Sequence, residues 1–250
     1  MIKGMISAIM PTYNRGHTCL IQTIKDIQAQ TYKNWELIIV DDGSTDGTND
    51  IVTKHTIETQ DKRIHYQRAF VNSGCVTIPR NIGIVVSEGE FIAHCDDDIV
   101  HFPHKFEVLV EALNNRPDLD LAYGLRRAER QGPGGIGTDI YDIVGPRNYN
   151  PLETWGVDGS QFMYRRRVYN DIPLVFCKRG CDWETMKAIY RNNPEFIEVD
   201  SIVSQYNWHG GNRSLDDEGT KNRMYYPERY RSTFEYYNSD SKYKYSLEPF

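Results

Sequence analysis

The chain has 250 residues, enough for one sizeable core, and its 39% hydrophobic and 26% charged residues are those of an ordinary soluble globular protein. A formal net charge of −6 argues against general nucleic-acid binding. No apolar run approaches the ~20 residues that span a bilayer. The opening "MIKGMISAIMPTYN" has no small-residue cleavage site, so it is expected to be a first strand and not a signal peptide.

In chain order, "MISAIMP" reads as a strand ended by Pro11. "HTCLIQTIKDIQAQ" places Leu20, Ile24 and Ile27 at helical spacing. "WELIIV" is a continuous apolar run, as in a strand buried on both faces. It runs into the turn-rich "DDGSTDGTND", whose Ser and Thr can cap a helix over about residues 46–58. "RIHYQRAF" predicts a strand, "TIPRNIGIVVSE" a helix with Pro79 near its start, and "EFIAHC" a strand that contains His94. "PHKFEVLVEALNN" predicts an amphipathic helix with Pro103 near its first turn. Such alternation implies an α/β fold with a mostly parallel central sheet and crossover helices.

After residue 118 the pattern changes. "LDLAYGLRRAER" and "GSQFMYRRRVY" read as strands, separated by the glycine-rich "QGPGGIGTD". "CDWETMKAIYRNN" reads as a helix and "FIEVDSIVSQYNWH" as the last strand. From Tyr225 onward the chain is rich in tyrosine. The expected organisation is 1–118 as a ligand-binding half, 119–224 as a second half of the same domain with a smaller antiparallel region, and 225–250 as a C-terminal arm. The five scattered cysteines are expected to be free thiols of a reducing, cytoplasmic compartment, with peripheral attachment to a membrane left open. Cys177 and Cys181 have no second pair to complete a zinc set.

Three consecutive carboxylates, Asp96, Asp97 and Asp98, follow the strand "EFIAHC". Like charges so close raise the cost of ionising one another. A divalent cation, a helix start or solvation can offset that cost. In open parallel sheets ligands bind beyond the carboxyl ends of the strands. Three polar clusters, "PTYNR", "DDGS" and "CDDD", fall at such ends, which one shared site explains better than three loops.

These residues carry a resemblance. "ISAIMPTYNR", "WELIIVDDGSTDGT" and "NSGCVTIPRNIGIVVSEGEFIAHCDDD" resemble the nucleotide-binding half of the family 2 glycosyltransferases, strongly over residues 5–110 and more weakly through "WGVDGSQFMYRRRVY", "GCDWETMKAI" and "YNWHGGNRS". The resemblance implies the GT-A fold and transfer of a sugar, with inversion, from a nucleoside diphosphate donor to a hydroxyl of a glycan or other acceptor. UDP is the default nucleotide, with TDP and GDP left open.

The resemblance also implies site residues. Pro11, Thr12, Tyr13, Asn14 and Arg15 are expected to bind the donor, with Tyr13 offering a face to the base and Thr12 a polar contact. Asp42 can accept from a uracil-like N–H; for Asp41 and Asp42 a turn or cap role stays open. Asp96 is expected to reach the ribose or donor sugar, and Asp98 to bind Mn2+ or Mg2+ unless it caps a helix. Asp97, counted with the donor-binding residues, is expected to point elsewhere on a strand-like segment. A hard cation completed by phosphate oxygens would stabilise the departing diphosphate. Arg80 suits a carboxylate or phosphate, or a structural pair with Asp96. Asp182 is the candidate base, with Glu184 as runner-up; a helix-dipole role for Asp182 is the alternative. Cys181 stands where the family commonly has an acidic residue. His209 is a candidate metal ligand or a structural histidine, and Arg213 a candidate phosphate contact on a mobile loop. His101 and His104 are expected to be loop residues. The rival functions are a sugar-phosphate nucleotidyltransferase and a non-catalytic sugar-nucleotide or glycan-binding module. The oligomeric state is open.

Overall fold

A computed structural model describes residues 1–131, 137–143, 157–172, 174–175 and 181–208. Residues 1–208 form one compact unit; His209, Arg213 and the arm from 225 lie outside the described residues.

The strands are β1 (Ile2–Thr12), β2 (Trp35–Asp41), β3 (Ile64–Arg68), β4 (Gly89–His94), β5 (Ile99–His101), β6 (Leu121–Gln131), β7 (Gly137–Ile143), β8 (Phe162–Arg165) and β9 (Ile197–Trp208). The helices are α1 (Leu20–Gln28), α2 (Thr48–Thr59), α3 (Thr77–Val86), α4 (Lys105–Asn115) and α5 (Cys181–Asn192). The sheet order is β3-β2-β1-β4-β8-β6-β9-β5, with β7 paired to β6. The first four are parallel, and β8 enters antiparallel between β4 and β6. The expected α/β architecture is therefore present, with antiparallel pairs in the second half (β4–β8, β6–β8, β6–β7 and β5–β9) beside one parallel pair, β6–β9. Among the described residues no helix is long and apolar enough to cross a membrane.

The parallel half is built as its apolar runs require. β2 is buried along its whole length. The helical-period residues Leu20, Ile24 and Ile27 of α1 are fully buried and pack with Leu37, Ile39, Phe91 and Phe106. On the other face Ile9, Ile38, Val40 and Ile92 meet Ile84 of α3 and Met186 and Ile189 of α5.

Three local expectations are corrected. Pro11 does not end β1: it pairs with Val40. Ile9 turns its backbone toward β4, where its carbonyl accepts from Cys95 N (2.9 Å), and Pro11, two residues on, turns the same way beyond the end of β4. The missing N–H therefore interrupts no ladder. α2 is not capped by Ser or Thr. Its N-cap is Gly47 at φ 85°, and the Asp46 carboxylate accepts from Thr48 N at 3.0 Å. Pro103 does lie near the first turn of α4, just before its N-cap His104. "GSQFMYRRRVY" yields only the four-residue β8, flanked by single 3-10 turns at Gly159–Gln161 and Arg166–Asn170. β5 and β7 have no clear sequence signal: three residues are too few to show a period, and β7 follows a glycine-rich loop.

Candidate active site

β1 lies between β2 and β4, so the three polar clusters meet at one edge of the sheet. Thr12 stands beside Asp41 in register. Asp42 N donates to the Thr12 carbonyl (2.9 Å), and the Thr12 hydroxyl donates to Asp97 Oδ2 (2.6 Å). After the buried Pro11 and Thr12, the half-buried Tyr13, Asn14 and Arg15 form the loop. Asn14 adopts φ 53°, a left-handed conformation that Asn tolerates. It is fastened on both sides: its N–H donates to Ser44 Oγ and its Oδ1 accepts from Thr45 N, each at 2.8 Å.

The two aspartates at the end of β2 face the fold. Asp41 is fully buried and accepts from Ser44 N (2.8 Å) and the Tyr66 hydroxyl (2.5 Å). Asp42 accepts from Ser73 N and Asn72 Nδ2, both at 3.0 Å, and from Ser73 Oγ at 2.9 Å. In this arrangement Asp41 fixes the turn that follows β2, and Asp42 ties the end of that strand to the loop after β3. Sequence reasoning missed the partners Tyr66, Asn72 and Ser73; the turn-forming "NSG" was the available signal.

The acidic motif departs from its expected geometry. The chain leaves β4 at His94, and residues 97–98 form a turn. Strand alternation therefore stops before it could separate the three side chains. Asp96 accepts from Arg80 Nη2 (2.6 Å). Asp97 does not point elsewhere: it is buried against Thr12, and its Oδ1 lies 3.9 Å from Arg15 Nε. Asp98 accepts from Arg15 Nη2 at 3.2 Å. Burial, and then the Asp98 charge, push the Asp97 carboxyl up to about 7, against the Thr12 hydrogen bond and Arg15. Asp98 caps no helix, because β5 follows it.

Among the described residues no group of three or more His, Cys, Asp or Glu side chains is arranged to hold a metal. A hard cation held by one carboxylate and completed by phosphate oxygens and water needs no such group, and the half-buried Asp98 would be its ligand. His104 Nε2 meets the Ile202 carbonyl (3.0 Å), and His101 is buried in β5 beside Lys105.

Asp182 lies in the first turn of α5, where a carboxylate is favoured by the helix dipole. Arg80, only 3% exposed on α3, joins it to the acidic motif. One guanidinium nitrogen donates to Asp182 and the other to Asp96. Burial pushes Asp182 upward, but the Arg80 charge, the His94 ring and the Gly159 amide outweigh it and hold the carboxyl well below its usual range. Asp96, which shares Arg80, is raised, burial being the largest cause. A Cβ on Gly159 would lie 2.6 Å from Asp182 Cγ, so only glycine leaves room for the carboxylate there. Glu184, the runner-up base, is buried and paired with Lys187. Sequence reasoning missed Gly159 as a neighbour of Asp182, and no spacing signals it.

The profile of "Glycosyl transferase family 2" matches residues 7–173. The chain is 33% identical to the glycosyltransferase GlyG of Streptococcus pneumoniae, over 90% of this chain and 66% of that one. It is 34% identical to WfgD of Escherichia coli, named a UDP-Glc:alpha-D-GlcNAc-diphosphoundecaprenol beta-1,3-glucosyltransferase, over 81% of this chain and 76% of that protein. The structure superposes on Staphylococcus aureus TarS 1–349 in complex with UDP at a TM-score of 0.65, with 22% identity, over 81% of this chain and 60% of TarS 1–349. The chain thus spans about two thirds of GlyG and less of that TarS chain. With three strand-end clusters on a GT-A sheet and a family match over most of its described residues, the chain belongs to glycosyltransferase family 2.

Proposed function

We propose that this chain transfers a sugar from UDP to a hydroxyl of a glycan or other acceptor in one displacement with inversion, with Mn2+ or Mg2+ as its metal. The observation that carries the reading is the Arg80 fork, which couples the acidic motif to a carboxylate 102 residues beyond Arg80. UDP is supported by the name of WfgD and by the UDP and UDP-GlcNAc complexes of TarS. Membership of the family sets aside the nucleotidyltransferase reading. Retention of Asp182 beside the acidic motif argues against a non-catalytic module. Cys19 and Cys95 are free thiols, as a reducing, cytoplasmic setting would keep them.

The chain's residues divide the work. Tyr13, Asn14 and Arg15 present the loop on which the donor lies, beside Asp41 and Asp42. Asp98 would hold the metal, with Asp96 turned toward the donor; bound there, the cation would supply positive charge to the departing diphosphate. Asp182 takes the proton of the acceptor hydroxyl. The oxygen attacks the anomeric carbon while the bond from that carbon to the diphosphate oxygen breaks, through an oxocarbenium-like transition state. Arg80 holds Asp182 and Asp96 in one frame.

A thermal-shift panel of UDP, TDP and GDP and their sugars, with and without Mn2+, tests donor and metal together. A ligand that binds only the native state at 100 times its Kd stabilises it by about 2.7 kcal/mol. UDP-sugars should raise Tm most, and more with Mn2+. A larger shift with GDP-sugars, or no effect of Mn2+, would overturn that part of the reading.

A further inference from the structure

His94 closes β4 two residues before Asp96 and is 1% exposed. Its Nε2 lies 3.0 Å from the Tyr164 hydroxyl, which lies 2.7 Å from the Tyr169 hydroxyl. Its Nδ1 has no hydrogen-bond partner among the described residues and lies 3.7 Å from Asp182 Oδ1. That is too long for a hydrogen bond, but an unsatisfied buried nitrogen aimed at a carboxylate calls for an explanation. Phe162 packs against the ring at 5.2 Å and Tyr164 at 5.5 Å, edge-on, so the imidazole is not free to turn.

The chemistry of the partners selects one proton arrangement. A carboxylate only accepts, so the nitrogen facing Asp182 carries the hydrogen. Nε2 is then an acceptor and receives a hydrogen bond from the Tyr164 hydroxyl, and Tyr164 in turn accepts from Tyr169. Burial, and then the Arg80 charge, hold the imidazole down at about 4, so it is neutral at neutral pH. Burial keeps both phenols protonated.

We propose that His94 is a positioning residue for Asp182: its Nδ1–H, set by the Tyr169–Tyr164 hydroxyl chain, closes onto the carboxylate in the reacting complex and aims it at the acceptor hydroxyl. The inference rests on Asp182 being the base. Arg80 holds that carboxylate by charge, which stabilises the anion and weakens it as a base. A neutral N–H orients it at less cost to its basicity. Apo-state contacts of this kind are commonly long and tighten on substrate binding. Lys105, fully buried, supports the arrangement from behind by donating to the His94 carbonyl (3.3 Å).

The test uses the whole chain and the UDP-sugar with the largest thermal shift, with water as acceptor and UDP release as readout. His94→Phe fills the ring's space without a donor. It should lower kcat roughly 10- to 100-fold, the scale for a misaimed group or a lost orienting partner, with the donor Kd unchanged. His94→Asn, which places an N–H near Nδ1, should recover much of that loss. In an Asp182→Asn background His94→Phe should cost nothing further, whereas a merely structural role would add its own loss. Should His94→Phe fail to fold, Tyr164→Phe removes one hydroxyl and should lower kcat in the same direction. In 15N-histidine spectra, the resonances lost in His94→Phe should belong to an Nδ1–H tautomer in the wild type; this needs no turnover. The opposite tautomer, or an unimpaired His94→Phe beside an impaired Asp182→Asn, overturns the role of His94 and leaves the base standing. An unimpaired Asp182→Asn overturns the base and this inference with it.

Discussion

At the scale of single residues, the candidate site is a set of shared partners. Arg80 serves Asp96 and Asp182, and Arg15 serves Asp97 and Asp98. Removal of a charge is therefore felt at two carboxylates. Asp182→Asn keeps the shape and removes the basicity, so transfer should fall roughly 10²–10⁴-fold while isothermal calorimetry finds donor affinity unchanged. Wild-type turnover in that variant would end its assignment as base. Glu184→Gln should instead appear as lost stability, because Lys187 would lose its partner. Asp98→Asn should remove most of the Mn2+-dependent part of UDP binding, since one anionic ligand is lost from a hard-cation site. Calorimetry showing wild-type Mn2+ dependence in that variant would count against Asp98. Because Asp97 accepts from the Thr12 hydroxyl, Asp97→Asn should also perturb the loop after β1 rather than be silent.

At the scale of elements, short connections are held by local ion pairs whose effect depends on pH. Asp61, in the turn before β3, accepts from Arg63 Nε (2.8 Å) and Nη2 (2.7 Å), and Arg63 stacks over the Trp35 ring at 3.7 Å. The Arg63 hydrogen bonds lower the Asp61 carboxyl to about 2, against burial. A carboxyl depressed in the folded state stabilises it above its unfolded value. That stability is lost as the pH falls from about 4 toward 2. Asp61→Asn should therefore lower stability at neutral pH and shrink the gap from wild type in acid. Chemical denaturation at pH 7 and pH 2.5 checks this; an equal gap at both values would refute the assignment.

At the scale of the molecule, the two halves of the sheet are joined at β8, where Arg165 ties its strand to β4, to α4 and to the segment before β6. This residue, 6% exposed, pairs with Glu90 of β4 (2.8 Å) and donates to the carbonyls of Leu113 in α4 and Leu119 before β6. Without the arginine the half-buried Glu90 loses its charge partner and the carbonyls of Leu113 and Leu119 lose a donor, so Arg165→Met should cost about 1–3 kcal/mol. Equilibrium denaturation should show a lower midpoint, with donor affinity per folded molecule retained. A selective loss of donor binding at wild-type stability would contradict this role. The parallel half, by contrast, was legible from sequence. Its apolar runs and helical periods are local and strong, and order along the chain almost dictates neighbours when strands alternate with helices. β5, β7 and the shortness of β8 were not legible, because short strands are decided by the partners they meet. By itself the sequence determined the sheet's first four strands, the meeting of "PTYNR", "DDGS" and "CDDD" at their ends, and the family. Only the tertiary structure decided which way each carboxylate faces: Asp97 inward in a turn, Asp41 and Asp42 onto their own loops, and Asp182 between Arg80, His94 and Gly159. The reason is that strand register and apolar period are set by residues near in sequence, while a buried charge takes its direction from partners up to 102 residues away that only the packed fold brings within reach.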